Sequence, residues 1–263
     1  MNKLYLLMLL WPLASVALPS NMAVITQGKY RPLYMTAEQP LQQVDGFLLD
    51  KQPVTNRQYQ SFIEKHPDWQ KSQVPQLFAE ARYLQHWLVS ATQSILQKEQ
   101  HDSPVVNVSW YAAQAYCEAQ NKRLPTVAEW EYVALASEKQ AEGFREAGYK
   151  QRILDWYGKP NQSRLSHVAQ SPANYWGVYD MHGLIWEWTE DFNSNLVSGE
   201  SRADSSINQQ LFCAAGTVGA ADPSDYAAFM RFGFRSSLKA KFTLNNLGFR
   251  CARSKEKSHE NSL

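Results

Sequence analysis

Apolar and polar positions along the chain change their spacing block by block, and each change predicts a different element. Residues 44–50, VDGFLLD, predict a strand. The spacing then turns helical: Thr55 with Gln58 three residues on forms a capping-box pattern, and Tyr59, Phe62 and Ile63 fall on one face. Pro67 ends that helix. Residues 68–103 keep no period, so RYLQHW at 82–87 reads as loop lying over the core. Val105, Val106 and Val108 suit a short strand, and Ser109 caps a helix with an apolar stripe of Ala112, Ala115, Tyr116 and Ala119. Thr126 and Glu129 make a second capping box, opening a helix that buries Trp130 and Val133.

Elsewhere the pattern is weaker. Residues 21–43 are polar and predict no element, and 138–170 read as a long polar connection. Residues 171–194, dense in aromatics and turn formers, predict short strands joined by irregular backbone, and 198–209 resemble a linker. Phe229, Arg231 and Phe234, and later Leu247, Phe249 and Cys251, are read as strand positions. No internal repeat is evident.

The N-terminus changes what counts as the mature protein. Lys3, a short apolar run over 4–16 and small residues at Ser15 and Ala17 predict a cleaved secretory signal over residues 1–17. The run is shorter than the roughly 20 apolar residues of a spanning helix, and no cysteine lies near the cleavage point to take a lipid. The expected organisation is signal 1–17, an N-terminal extension 18–43, one domain over 44–253 and a disordered tail 254–263, with the protein in a bacterial periplasm.

With 26 Lys+Arg against 25 Asp+Glu and a net charge of +1, which falls to zero once the signal and its Lys3 are removed, bulk charge gives no reason to expect nucleic acid or anionic membrane as partners. Aromatics reach 13%, including 9 Trp and 13 Tyr, which suits loop-rich folds and binding surfaces because such rings bury area and need polar partners. Three cysteines, Cys117, Cys213 and Cys251, imply in an oxidising compartment one pair and one thiol, or an intermolecular bond, and arithmetic does not choose the pair. CxxC and HExxH patterns are absent and the 6 His are scattered, so a dedicated zinc site has little support.

Five blocks together resemble the formylglycine-generating (sulfatase-modifying-factor) enzymes: VTNRQYQSF at 54–62, PVVNVSWYAAQAYC at 104–117, KRLPTVAEWEY at 122–132, GVYDMHGLIWEW at 177–188 and NLGFRCA at 246–252. The resemblance implies an α+β fold distantly similar to C-type lectins with little regular secondary structure. It also implies a disulfide between Cys117 and Cys251, leaving Cys213 as the odd thiol. The family oxidises a substrate cysteine with copper held by two cysteines. Ungapped alignment from the C-terminal motif puts Asp222 and Ala227 at those two positions. A soft Cu(I) ion selects thiolates, so copper is not expected here. Cys213 reads either as a metal ligand or mixed-disulfide partner, or as a small buried hydrophobe, the latter favoured.

Calcium is the other cofactor the family suggests. Leu184 stands where the family has Asn before the Trp-Glu-Trp run, which removes one oxygen ligand; Glu187 with backbone carbonyls remains a candidate set. Asp222, Asp225 and Tyr226 are candidates for lining the groove at the former copper site, as are Arg231 and Arg235 for contacting a carboxylate or peptide. The competing reading pairs these arginines with Glu187 or Glu129 in the interior. His182 reads as a satisfied turn or surface histidine, and Trp186 and Trp188 as core. The aromatic block and AFMRFGFRSS resemble a secreted subgroup found beside copper nitrite reductases, implying a protein or peptide partner, with a copper enzyme as one candidate. The expected function is therefore a binding or maturation factor for a secreted metalloprotein. The alternatives are an oxidoreductase using copper or non-heme iron, and a lectin-like module.

Overall fold

The computed structural model describes residues 21–32, 40–89, 94–95, 98–158, 164–193 and 226–255. The predicted signal, the linker at 198–209 and Cys213, Asp222 and Asp225 lie outside the described residues.

A three-stranded antiparallel sheet in the order β1–β4–β9 joins the beginning and end of the described chain, with β1 at Met22–Ile25, β4 at Phe47–Asp50 and β9 at Ala252–Ser254. Met22 faces Asp50 in one ladder and Phe47 faces Ser254 in the other. β2 (Gly28–Tyr30) and β3 (Gln42–Val44) form a separate antiparallel pair. Thus the polar segment expected to hold no element supplies three strands, and Ser254, assigned to the tail, is in the sheet. In β1, Met22, Ala23 and Ile25 are buried and only Val24 is half-exposed, a pattern too short to register against its polar flanks.

The two capping boxes form as read. Thr55 starts α1 (Asn56–Lys65) and Thr126 starts α3 (Val127–Ala134), each with the reciprocal side-chain and backbone bonds that satisfy otherwise orphaned N–H groups. Ser109 caps α2 (Trp110–Ala119), whose buried face is Ala112, Ala113, Tyr116 and Cys117. The stripe is therefore turned away from the predicted Ala115 and Ala119, because Cys117 points inward to a disulfide with Cys251 across 134 residues, with Cα atoms 5.6 Å apart. The valines at 105–108 are buried but form no strand: Val105 and Asn107 donate to Val54 and Leu244, and Asn107 at φ +55° breaks the run.

RYLQHW is loop, yet it belongs to the core rather than covering it, since Tyr83, Leu84 and Trp87 are buried. A two-residue antiparallel pair, β5 (Leu88–Val89) with β6 (Ser94–Ile95), follows. The long connection expected over 138–170 contains a 3-10 turn at Gly143–Arg145 and α4 (Tyr149–Tyr157). The residues read as a strand around Phe229 form α5 (Tyr226–Ser237). β7 (Trp186–Glu187) runs parallel to β8 (Leu247–Gly248), drawing the aromatic block onto the C-terminal motif. Gly248 is required there: a Cβ would collide with the carbonyl oxygen of Val105.

One apolar cluster packs α1 and α2 around Tyr59, Trp87, Trp188 and the disulfide. A second packs the sheet against α3 through Trp130, Val133, Val178 and Met181.

Candidate functional site

The site builds up from α5. Its buried residues, Ala227, Arg231 and Arg235, recur every four positions and so lie on one helical face. Ala227, aligned with the family's second cysteine, is 3% exposed and packs with Tyr149 and Ile153 of α4. Further along the same face both arginines meet Glu131 of α3. Arg231 donates through Nε to both carboxylate oxygens (3.0 and 3.1 Å) and through Nη2 to Oε2 (2.7 Å), while Arg235 donates through Nη1 to Oε1. The remaining Arg231 Nη1 lies 3.4 Å from the Tyr157 hydroxyl. Both guanidiniums also lie over the Trp130 ring, Arg235 at 4.9 Å and Arg231 at 5.7 Å from its centroid.

The buried ion pair weighed from sequence is thus present, but its carboxylate is Glu131 rather than Glu187 or Glu129. Glu129 is taken by the guanidinium of Arg123 at 2.6 and 2.7 Å as well as by its own capping box. Burial pushes the Glu131 carboxyl up, but the charges and hydrogen bonds of Arg231 and Arg235 outweigh it and hold the group at about 2.

Glu187 is occupied differently. Arg250 donates to both of its oxygens at 2.7 and 2.8 Å, and Trp130 Nε1 donates to Oε2 at 2.9 Å. Neither side chain is more than 1% exposed. A carboxylate so engaged does not fit a calcium ligand, because the guanidinium already supplies the positive charge and occupies both oxygens. Among the described residues no group of three or more His, Cys, Asp or Glu could hold a metal ion.

The open part of the site is a cavity of about 330 Å³ lined by residues of α4, of 165–171, of 180–186 and of 245–246. One wall is aromatic. Trp186 is sandwiched between Tyr157 (5.0 Å between centroids, 13° between planes) and Phe234 (4.3 Å, 25°), and Trp156 lies against it at 5.9 Å. The two tryptophans grouped together as core therefore separate: Trp188 is fully buried with Nε1 on the Val108 carbonyl, whereas Trp186 is half-buried and lines the cavity. His182, half-buried, also lines it; its Nε2 is 2.9 Å from the Ala134 carbonyl, while Nδ1 is buried with no hydrogen-bond partner. Burial, helped by Arg231, lowers its pKa to about 4. Tyr226 is exposed and stacks on Phe229 at 5.9 Å, apart from this cavity.

Sequence reasoning missed Glu131, Trp156, Tyr157 and Asp180. The four-residue spacing of Arg231 and Arg235 was a helical signal, hidden because arginines occupy the buried positions.

Comparison with known proteins agrees with this architecture. Residues 14–255 match the Sulfatase-modifying factor enzyme 1-like domain. The chain is 27% identical to the formylglycine-generating enzyme of Mus musculus, over 89% of this chain and 74% of that protein. It is 34% identical to the formylglycine-generating enzyme of Streptomyces coelicolor over 57% of this chain, spanning 52% of that relative. A mouse protein named Inactive C-alpha-formylglycine-generating enzyme 2 is 27% identical over 80% of this chain and 76% of its own length. Two solved structures share the fold at a TM-score of 0.50: CarF, 17% identical with 90% of this chain and 99% of that one covered, and PvdO from Pseudomonas aeruginosa, 18% identical with 89% and 94% covered. With the match running across residues 14–255, the chain belongs to the sulfatase-modifying factor enzyme 1-like family.

Proposed function

We propose that the chain is a secreted, periplasmic binding or accessory factor that uses the family scaffold to hold a protein or peptide and does not oxidise a substrate cysteine. The observation that carries this reading is Ala227: the position aligned with a family copper ligand holds a methyl group packed against Tyr149 and Ile153. Thiol count supports it. The chain has three cysteines, and with Cys117 bonded to Cys251 one thiol remains. A two-thiolate Cu(I) site therefore does not fit the residues present. The name of the mouse relative, which includes the word inactive, is consistent with family members that lack the oxidase activity.

In this reading the chain's own residues do three things. The Glu187–Arg250 pair and the disulfide hold the scaffold. The Glu131–Arg231–Arg235 triad pins α5 where the family has its reactive segment. The aromatic wall leaves a cavity open for a guest. No helix among the described residues is long and apolar enough to cross a membrane, which leaves the predicted signal as the basis for secretion.

Purified mature protein, incubated with copper, oxygen and a sulfatase-type cysteine peptide, is expected to yield no formylglycine by mass spectrometry. Turnover would overturn the reading. N-terminal sequencing of the periplasmic fraction is expected to begin after Ala17; recovery only as full-length cytosolic protein would contradict the location.

A further inference from the structure

The cavity beside α4 has a chemical character of its own. Asp180 is the one Asp, Glu, Lys or Arg among its lining residues, and it is only 8% exposed. Its carboxylate accepts from the Ala169 N–H at 2.6 Å and from the Ser171 hydroxyl at 2.9 Å, and it forms no ion pair with any described residue. Buried carboxylates usually have a cation beside them, because neutral donors alone recover only part of the lost hydration. The arginines of the neighbouring triad do not supply it: neither lines the cavity, and both are turned to Glu131.

His182 also lies on the lining, but the contact with the Ala134 carbonyl, which only accepts, places the proton on Nε2, and Nδ1 is buried out of a guest's reach. The second component is aromatic: both faces of Trp186 are covered by Tyr157 and Phe234, but Trp156, half-buried and only tilted against that stack, adds a ring that attracts positive charge to the lining. An anion would be repelled by Asp180, and a purely apolar guest would leave the carboxylate without a cation. A planar guanidinium meets both demands, with charge for Asp180 and a flat face for Trp156.

We propose that this cavity binds an organic cation of the guanidinium class, with Asp180 as counter-charge and Trp156 as the ring it packs on. The cation is supplied either by a free small molecule or by a basic side chain of a partner protein. The inference rests on reading the chain as a binding protein and names the chemistry of its guest.

The test uses the mature protein with 15N-labelled tryptophan, its indole resonances assigned from Trp156→Phe and Trp186→Phe, titrated with n-butylguanidinium, neutral n-butylurea, CaCl₂ and an acetylated Gly-Arg-Gly amide. Butylguanidinium should shift the Trp156 and Trp186 resonances saturably, with butylurea about tenfold weaker. Asp180→Asn, which keeps an acceptor for Ala169, should weaken guanidinium binding about tenfold, and Trp156→Ala should weaken it as well. Tighter binding of the peptide assigns the cation to a protein side chain, and tighter binding of butylguanidinium to a free ligand; either result upholds the cavity. Equal binding of urea and guanidinium, displacement by Ca²⁺, indifference to Asp180→Asn, or no shift at all would overturn it. Formylglycine formation by a protein that binds guanidinium would remove the functional reading and leave the cavity standing. Silence in both assays would remove the cavity alone.

Discussion

Trp130 connects two buried arginine–carboxylate clusters of different construction. Its indole N–H donates to Glu187, which is paired one-to-one with Arg250, while its ring carries the guanidiniums of Arg231 and Arg235, which share the single carboxylate of Glu131. The first cluster is neutral, and Arg250 also donates to the carbonyl of Tyr179 at 2.9 Å. The second carries one positive charge in excess. Removing charges from water is costly, and the cost is recovered only where partners are complete. The neutral pair therefore behaves as scaffold, whereas the triad is a clamp: it stabilises α5 only as long as Glu131 stays ionised.

The scaffold side should give the largest effects. Cys251 sits next to Arg250 and closes a loop of 134 residues with Cys117, so replacing both cysteines with Ala should cost about 5 kcal/mol in denaturant unfolding. An unchanged midpoint would show that the bond does not constrain the folded chain. Arg250→Met, which strands Glu187 in a site without water, should cost about 3–5 kcal/mol. A loss below about 1 kcal/mol would make the two clusters equivalent and break the contrast.

Within the clamp the members should be unequal. Glu131→Gln leaves two buried guanidiniums facing a neutral amide and should cost about 3 kcal/mol, whereas Arg235→Met removes the surplus charge and should cost about 1 kcal/mol or less. Similar losses for both would show that the excess charge is neutralised by another group.

Titration sharpens the comparison with smaller effects. Glu131 is held at about 2 against an ordinary value of 4.5, so its contribution is complete above pH 4.5 and is lost as pH falls toward 2. Stability of Glu131→Gln should vary less across that window. His86 and His182 titrate in a higher window. Burial is the main cause that holds each near 4 against an ordinary 6.5, so the unfolded chain takes up their protons first. Stability should decline between pH 6.5 and 4, by about 1.4 kcal/mol per unit for each histidine, and level off below. Replacing either histidine with Gln should reduce that slope; an unchanged slope in both variants would show that neither is buried as a neutral imidazole.

The same contrast explains what could be read from the chain. The caps at Thr55, Ser109 and Thr126 were legible because each side chain meets its own helix, and of the strand read over 44–50 the apolar run 47–50 forms β4 while Val44 ends β3. Glu187 and Arg250 lie inside recognisable motifs, although their pairing was not foreseen. The clamp was hidden by its chemistry. α5 buries arginines where a hydrophobic pattern expects apolar residues, so Phe229, Arg231 and Phe234 show no apolar stripe of helical period. α4 lacks a side-chain cap, since Gly148 at φ +78° precedes it, and its buried Tyr149 and Ile153 are too few to show a period in a polar context. The cavity brings together residues from four separate segments, a juxtaposition that no local pattern carries.

The central claim is that Ala227, the residue proposed to stand at the family's reactive position, faces the interior. Introducing Ala227→Cys in a Cys213→Ser background leaves one thiol outside the disulfide, and its labelling by a maleimide reports access directly. The account predicts labelling far slower in the native protein than in the unfolded chain, with no uptake of Cu(I). Rapid native labelling together with Cu(I) binding would place position 227 on an open groove and contradict it.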